Sequence, residues 1–253
     1  MTRLNNIYTR FYINGYDLSG YAINTGDFGF EHDTAKVAAY SDAVKNVSLG
    51  MTSIKLGPVN AFLAPSATVG LHELMKSGAV DSDVMIAMGT DNEPVVGQPV
   101  FAWRMQQTSY KATGADIVGA NIEFGGAAYD TVKGYWNPNG LLVHAKGAET
   151  APNTAVATID YGAQQTKGGV FAYQMFSSNG TATLKLQDAS TNSNGSFADL
   201  SGATSGSIDA STTPKSGFVA LSVTATINRY LRWQIALGTA TTCTFACAFL
   251  LGV

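Results

Sequence analysis

The sequence has little charge, and this shortage excludes one class of function. Asp, Glu, Lys and Arg make up only 13% of the 253 residues, against about 25% in typical soluble domains. The 15 basic and 18 acidic residues leave no positive excess. Because proteins that bind nucleic acid in general do so by replacing phosphate counterions with Lys and Arg, the balance argues against that role.

Cysteine is also scarce, and its placement argues against a disulfide. Cys243 and Cys247 are the two cysteines. In an extended strand their Cα atoms would be about 13 Å apart, which is too far for a disulfide. We expect both to be buried as small hydrophobic residues. Nothing in the cysteine pattern requires an oxidising compartment, so we expect folding in a cytoplasm.

Long apolar runs are missing as well. No run approaches the ~20 apolar residues of a membrane-spanning helix. The first twenty residues contain no apolar stretch ending in a small-residue cleavage site, so they do not have the pattern of a secretory signal. We therefore expect no membrane partner.

Sequence motifs for catalysis are absent. The histidines are His32, His72 and His144. His72-Glu73 lacks the second histidine of a zinc-binding H-E-x-x-H motif. There is no G-x-S-x-G nucleophile motif and no glycine-rich phosphate loop. We expect no enzymatic activity, no catalytic or metal-ligating residues and no cofactor.

What the sequence does contain is short segments of alternating apolar and polar residues, rich in Val, Ile, Phe, Tyr, Trp and Thr. Turn residues separate them every 8–12 positions, which is typical of many-stranded β proteins. The segments are Phe11–Ile13, Val47–Leu56, Val84–Met88, Val100–Met105, Ile117–Phe124, Gly140–His144, Thr154–Ile159, Val170–Phe176, Ala182–Leu186, Phe218–Ile227, Tyr230–Leu237 and Cys243–Leu251. We predict a mainly β protein. Asp188–Ala210 is polar and predicts exposed hairpin loops.

One helix is predicted at residues 66–77, with Ser66 as N-cap and Gly78 after its end. A change in composition near residues 146–153 predicts two domains, 1–147 and 148–253. The second is poorer in charge and richer in Ser, Thr and Gly. Asp81 and Asp83 flank the apolar run Val84–Met88 and are interpreted as turn residues.

The segment 28–49 predicts an irregular loop of more than twenty residues. Such loops are uncommon in compact domains unless they bind something, and the apolar residues in this one would be costly to leave in water. A helix or hairpin packed on its own domain is the alternative. The candidate contact residues are Phe28, Phe30, Val37, Tyr40, Asp42, Val44, Lys45 and Val47. Trp136, between turn residues, is predicted to be an exposed aromatic.

Four segments of the first 145 residues or so resemble the tail tube (major tail) proteins of long-tailed bacteriophages. They are Ile13–Tyr21, Ala39–Lys45, Ser53–Phe62 and Gly70–Leu74. The later segments Gly168–Val170, Ala182–Gln187 and Asn228–Trp233 are similar to β-sandwich segments of phage virion proteins.

The resemblance implies a fold of two parts. The first is a tail-tube-like β-sandwich or barrel with one flanking helix. The second is an all-β sandwich of jelly-roll or immunoglobulin-like type.

The resemblance also implies a function. Six copies form a ring, rings stack into a tube, and the loop 28–49 reaches the neighbouring ring. Genomic DNA passes through the lumen without specific binding, which a mildly acidic wall favours. Other partners would be tail proteins such as the tape measure and the terminator. The protein would be assembled in the host cytoplasm and located in the virion tail.

A second hypothesis from a different class stays open at this stage. The β-sandwich of residues 148–253 could instead serve capsid decoration or carbohydrate binding. That hypothesis predicts a monomer or trimer rather than hexameric rings.

Overall fold

The computed structural model describes residues 8–24, 26–36, 47–62, 71–76, 81–90, 93–113, 119–127, 129–130, 134–135, 139–156 and 158–252. Within them the chain is mainly β, with antiparallel pairing throughout, as the alternating pattern predicts.

The described elements, in chain order, begin with β1 (Thr9–Ile13), β2 (Tyr16–Asp17), β3 (Ala22–Asn24), β4 (Asp27–Lys36), β5 (Val47–Phe62), α1 (Leu71–Met75), β6 (Asp81–Met88), β7 (Pro99–Thr113) and β8 (Gly119–Ala127). They continue with β9 (Tyr129–Asp130), β10 (Gly134–Tyr135), β11 (Asn139–Glu149), β12 (Ile159–Asp160), β13 (Gly169–Ser178), β14 (Thr181–Ala189), β15 (Ala198–Asp209), β16 (Lys215–Ala220), β17 (Tyr230–Leu237) and β18 (Cys243–Leu251).

A twelve-stranded sheet divides into two branches at β7. One branch has the order β16-β13-β18-β11-β7-β6-β1-β2. The other leaves β7 through β8 to β5, which in turn pairs with β3 and β4. The division occurs because one edge of β7 pairs with β11 at residues 99–101 and with β8 at residues 106–113.

A four-stranded sheet, in the order β12-β17-β14-β15, packs on this large sheet. Alternate residues of β14 and β17 point inward, among them Leu184, Leu186 and Trp233, and they meet Phe171 and Phe245 of the large sheet. This is the period-two pattern of a sheet with one buried face. Trp103 on β7 and Trp233 on β17 are both buried.

Strands β13 and β18 are buried on both faces, and they join two hydrophobic cores. On β18, Ala246, Ala248 and Leu250 belong to the core of the N-terminal strands, whereas Phe245 and Phe249 belong to the core under the four-stranded sheet. Burial on both faces explains why the sequence of β18 is an almost continuous apolar run.

The predicted boundary between residues 147 and 148 falls inside β11 and not in a linker. Strands β13, β16 and β18 from the C-terminal part pair into the same sheet as β11, β7 and β6. The change in composition coincides with a change in the kind of strand. The C-terminal part supplies strands with two buried faces and also the small four-stranded sheet.

The helix is present where it is described. Leu71 and Met75 are four residues apart on one face and both are buried. The side-chain amide of Gln107 donates to the carbonyl of Met75 (3.0 Å), and His72 Nδ1 lies 2.7 Å from the Tyr110 hydroxyl, so the helix is attached to β7. The predicted ends near 66 and 77 lie outside the described residues. No helix of the described residues is both long and apolar enough to cross a membrane.

Two segments interpreted as turns or loops are strands. Most of Asp188–Ala210 belongs to β14 and β15, where two register shifts absorb the Gly and Ser residues as bulges. Asp81 and Asp83 begin β6, and Asp83 is buried. An aspartate in a strand is tolerated here because hydrogen bonds satisfy it, which the sequence does not reveal.

Asp83 is the centre of a polar network that joins four strands and a turn, and both Asp83 and Gln174 are buried. Its carboxylate accepts hydrogen bonds from Arg104 on β7 (2.8 Å) and Ser216 on β16 (2.8 Å). Its carbonyl accepts one from the Gln174 side chain on β13 (2.9 Å). The same amide accepts the N–H of Gly15, in the β1–β2 turn, at 2.6 Å. The network therefore links the N-terminal strands to the C-terminal ones.

We predict that Gln174→Leu lowers the free energy of unfolding by about 1–3 kcal/mol, because the Gly15 N–H is left without its acceptor in a buried position. Gln174 is fully buried, and leucine has a similar volume. Chemical denaturation at neutral pH measures the change. Gln164→Leu is the control, since Gln164 is exposed, and it should change stability by less than ~0.5 kcal/mol. Equal effects of the two substitutions would contradict a bridging role for Gln174.

Candidate self-association arm

Strands β4 and β5 form a two-stranded ribbon that continues past the end of the sheet. Strand β8 pairs with β5 from Phe62 to Ser53, where β8 reaches its last residue, Ala127. Beyond Ser53, β5 pairs only with β4 among the described strands, as far as the register pair Lys36–Val47. We call residues 31–36 and 47–52 the arm.

The arm contains a β-bulge. His32 pairs with Thr52 and Thr34 pairs with Leu49, so β5 has one more residue than β4 between these pairs. One extra residue shifts the alternation of a strand by one position. As a result, positions 47 and 49 are in phase with Ile54 and Leu56, which are core residues of the body of the sheet.

The segment predicted to be an irregular loop at 28–49 is therefore, in its described part, a β-hairpin. Strand β4 places Phe28 opposite Leu56. Its ring centroid lies 5.1 Å from that of Phe101 in the core of the same chain. The alternative of a hairpin on its own domain holds for the base of this segment.

The remaining candidate residues have different outcomes. Phe30 and Val47 take the register positions opposite Ile54 and Lys36. The residues Val37, Tyr40, Asp42, Val44, Lys45 and Trp136 lie outside the described residues, so their proposed contacts stay predictions. His32, which was expected in a loop, belongs to β4.

The outer edge of β4 is the feature that sequence analysis missed. No described strand pairs with that edge, and unpaired strand edges are templates for pairing with another chain. Phe28 and Phe30 have the alternating apolar spacing of a strand, but Gly29 and the acidic residues that follow make this pattern too short to predict one.

The titratable residues His144, Cys243 and Cys247 are buried in the C-terminal core. His144 is buried, with Nδ1 3.1 Å from the Phe245 carbonyl and Nε2 2.9 Å from Glu149 Oε1. The prediction that its ring is satisfied within a strand is confirmed. Burial raises the pKa of the Cys243 and Cys247 thiols, so these cysteines are less reactive than exposed ones. The described residues contain no group of three or more side chains that could ligate a metal.

The outer face of the four-stranded sheet is the part of the structure relevant to the second hypothesis. Arg232 on β17 is buried there, and its guanidinium lies 4.2 Å from the Phe197 ring. Its Nε and Nη2 donate to Gln187 Oε1 (3.0 and 2.8 Å), and its Nη1 donates to the Ala155 carbonyl (2.9 Å) and to Asn194 Oδ1 (2.7 Å). These acceptors are neutral.

Arg232 therefore fastens two segments to the sheet, around Ala155 and around Asn194. Burial lowers the pKa of its guanidinium, because desolvation disfavours the charged form. Beside it, Asp199 accepts hydrogen bonds from Gln187 and Lys185. The polar groups of this face are thus largely engaged with one another, and no pattern in the sequence predicts this network.

Comparison with known proteins adds a weak structural likeness. No protein-family model matches the chain, and no curated protein matches it. A crystal structure of the SPP1 Dit protein matches with a TM-score of 0.27 and 14% identity, covering 96% of this chain and 99% of that one. That protein is described as a paradigm of the hub adsorption apparatus in phages that infect Gram-positive bacteria. A likeness of this size does not establish a shared family or function.

We predict that the main-chain amides of the arm exchange rapidly with deuterium in the isolated protomer. A two-stranded ribbon is marginally stable in water, and local opening of this kind requires little free energy. Residues 54–56 of β5, which have β4 on one side and β8 on the other, are the internal control and should exchange slowly. Equal protection of the two parts would contradict the prediction.

Proposed function

We propose that this chain is a structural subunit of a bacteriophage tail and that its copies associate through the β4–β5 arm. In the specific form of the proposal, six copies form a ring, and the rings stack into a tube through which DNA passes. The observation that carries the proposal is the ribbon beyond Ser53, which has no third strand among the described ones.

The physical argument starts from stability. A ribbon of two strands gains too little from its own pairing to be stable in water, and a third strand or a packed face is needed. A neighbouring copy can supply both, by pairing with the outer edge of β4 and by covering the arm. Since every copy carries the same arm and the same receiving surface, contacts that run from head to tail can close into a ring or continue into a filament.

The low charge of the chain fits an assembled subunit. With only 13% charged residues, much of the protomer's surface is suited to contact with other protein and not to permanent exposure to water. The tape measure, the terminator and other tail proteins would also bind this weakly charged surface. The assembled tube would be part of the virion.

We assign the exposed face of β5, β7 and β8 to the channel wall as part of this proposal. Asn24, Asn60, Asn121 and Lys111 are aligned across four neighbouring strands. The exposed charges on this face and on the adjoining β4 are Asp27, Glu123, Lys55, Lys111 and Arg104, and Arg104 is paired with Asp83. A face of amides with balanced charge gives a phosphate backbone little to bind, which suits DNA that must slide past.

The decisive experiment removes the arm and keeps the body of the hairpin. Residues 33–51 are replaced by Asn-Gly, which favours a two-residue hairpin turn, so that the pair His32–Thr52 closes the ribbon. We expect a folded protomer, with circular dichroism like that of the wild type, that forms no rings or tubes by light scattering and negative-stain microscopy. Lys167→Ala, at an exposed position outside the strands, is the control and should assemble normally.

Tubes of normal length from the arm-deleted chain would contradict the proposal. A wild-type protein that stays monomeric or trimeric at every concentration would favour capsid decoration or carbohydrate binding instead. Binding of the wild type to capsids or to immobilised glycans would then be measured directly.

A further inference from the structure

We propose that Asn194 is a site of spontaneous deamidation, in which Arg232 assists the loss of ammonia from the side-chain amide. The chain contains four Asn-Gly pairs, at Asn14, Asn139, Asn179 and Asn194. In such a pair the main-chain nitrogen of glycine can attack the asparagine side-chain carbonyl, because glycine has no Cβ to obstruct the approach. The structure separates Asn194 from the other three.

Two of the other pairs are held by hydrogen bonds. Asn14 Oδ1 accepts the N–H of Asp83 (2.8 Å), and the attacking nitrogen, that of Gly15, is bonded to the buried Gln174 side chain (2.6 Å). Asn179 is held at both side-chain atoms, because Oδ1 accepts the N–H groups of Thr241 and Thr242 (2.8 and 3.1 Å) and Nδ2 donates to Thr241 Oγ1 (2.6 Å). A Cβ placed on Gly180 would lie 2.7 Å from Thr239 Oγ1, so the backbone at the attacking nitrogen is closely packed as well.

The third pair is held by sheet pairing and packing. Asn139 and Gly140 lie in β11, in register with Phe101 and Val100 of β7. A Cβ placed on Gly140 would lie 2.5 Å from the Phe249 carbonyl oxygen, so the backbone there is closely packed. The movement that brings a glycine nitrogen to the preceding side chain would disrupt this packing.

The Asn194 pair is exposed and has room to move. Asn194, Gly195 and Ser196 form a single short 3-10 turn with no buried residue. A Cβ built on Gly195 would have no atom within 4 Å. The backbone angles at Gly195 can therefore change without a clash while Arg232 still holds Asn194 Oδ1.

Arg232 supplies the chemical assistance. Its Nη1 donates to Asn194 Oδ1 at 2.7 Å, and this oxygen becomes negatively charged when the Gly195 nitrogen adds to Cγ. A donor fixed at the position of a developing oxyanion lowers the barrier to such an addition. The guanidinium is fixed beforehand by Gln187, the Ala155 carbonyl and the Phe197 ring.

The reaction balances with water as the one co-reactant. Solvent base removes the Gly195 amide proton, and the nitrogen–Cγ bond forms. Nδ2 then takes a proton from the protonated solvent base, and the bond from Cγ to Nδ2 breaks as ammonia leaves. Water then opens the five-membered imide to aspartate or isoaspartate. The product places a carboxylate beside Arg232, whose acceptors are otherwise neutral, and makes the net charge one unit more negative.

The test follows the full-length protein during incubation at mildly alkaline pH, using peptide mapping by mass spectrometry to measure each Asn-Gly pair. We expect aspartate and isoaspartate to accumulate at Asn194 while the other three pairs stay largely intact. Gly195→Ala, which the open surroundings tolerate, should abolish the conversion. Asn194→Asp should raise Tm, because it creates the ion pair with Arg232.

The role of Arg232 is tested with Arg232→Met and Arg232→Lys, each checked for native circular dichroism. We expect roughly tenfold or greater slowing for methionine, within the range of losses seen when an oxyanion donor is removed, and a rate between those of methionine and wild type for lysine. Faster conversion in either variant would show that Arg232 only restrains the loop. Conversion at Asn194 no faster than at Asn179 would overturn the proposal as a whole.

Discussion

The fold depends on one constraint: two hydrophobic cores share the strands β13 and β18. Small residues such as Ala246 and Ala248 face the N-terminal core, and large ones such as Phe245 and Phe249 face the other. Neither core can therefore form without strands that also belong to the other. The Asp83 network adds the polar part of this coupling, because Gln174 on β13 reaches the β1–β2 turn across the sheet.

The arm differs from the rest of the large sheet in what stabilises it. In the body, each strand of the β4–β5 hairpin is backed by buried side chains such as Ile54 and Leu56. Past Ser53 the pairing continues, but no third described strand supports it. A molecule with a rigid, doubly buried centre and a weakly supported extension is suited to exchange contacts with copies of itself without unfolding.

Sequence reasoning found most strands because alternation is a local signal. Segments such as Val100–Met105 and Tyr230–Leu237 lie within the described β7 and β17. It was wrong about β4, where glycine, acidic residues and a bulge break the alternation, and the strand is specified by its pairing with β5. It also placed Asp83 in a turn, because the partners that satisfy this carboxylate, Arg104 and Ser216, are remote in sequence.

The unpaired edges of the arm and the Arg232 network could not have been predicted, for a related reason. Past Ser53 the ribbon has no third described strand because β8 ends at Ala127, and the length of β8 leaves no mark in the sequences of β4 and β5. The sequence predicts Arg232 only as an outward-facing strand residue. Two of its hydrogen bonds go to the segments carrying Ala155 and Asn194, which fold over it in the structure. Both features arise from where chain segments end or fold back. Because the protein has so little charge, main-chain groups at the arm and neutral oxygens around Arg232 make the polar contacts at these two places, and ion pairs do not.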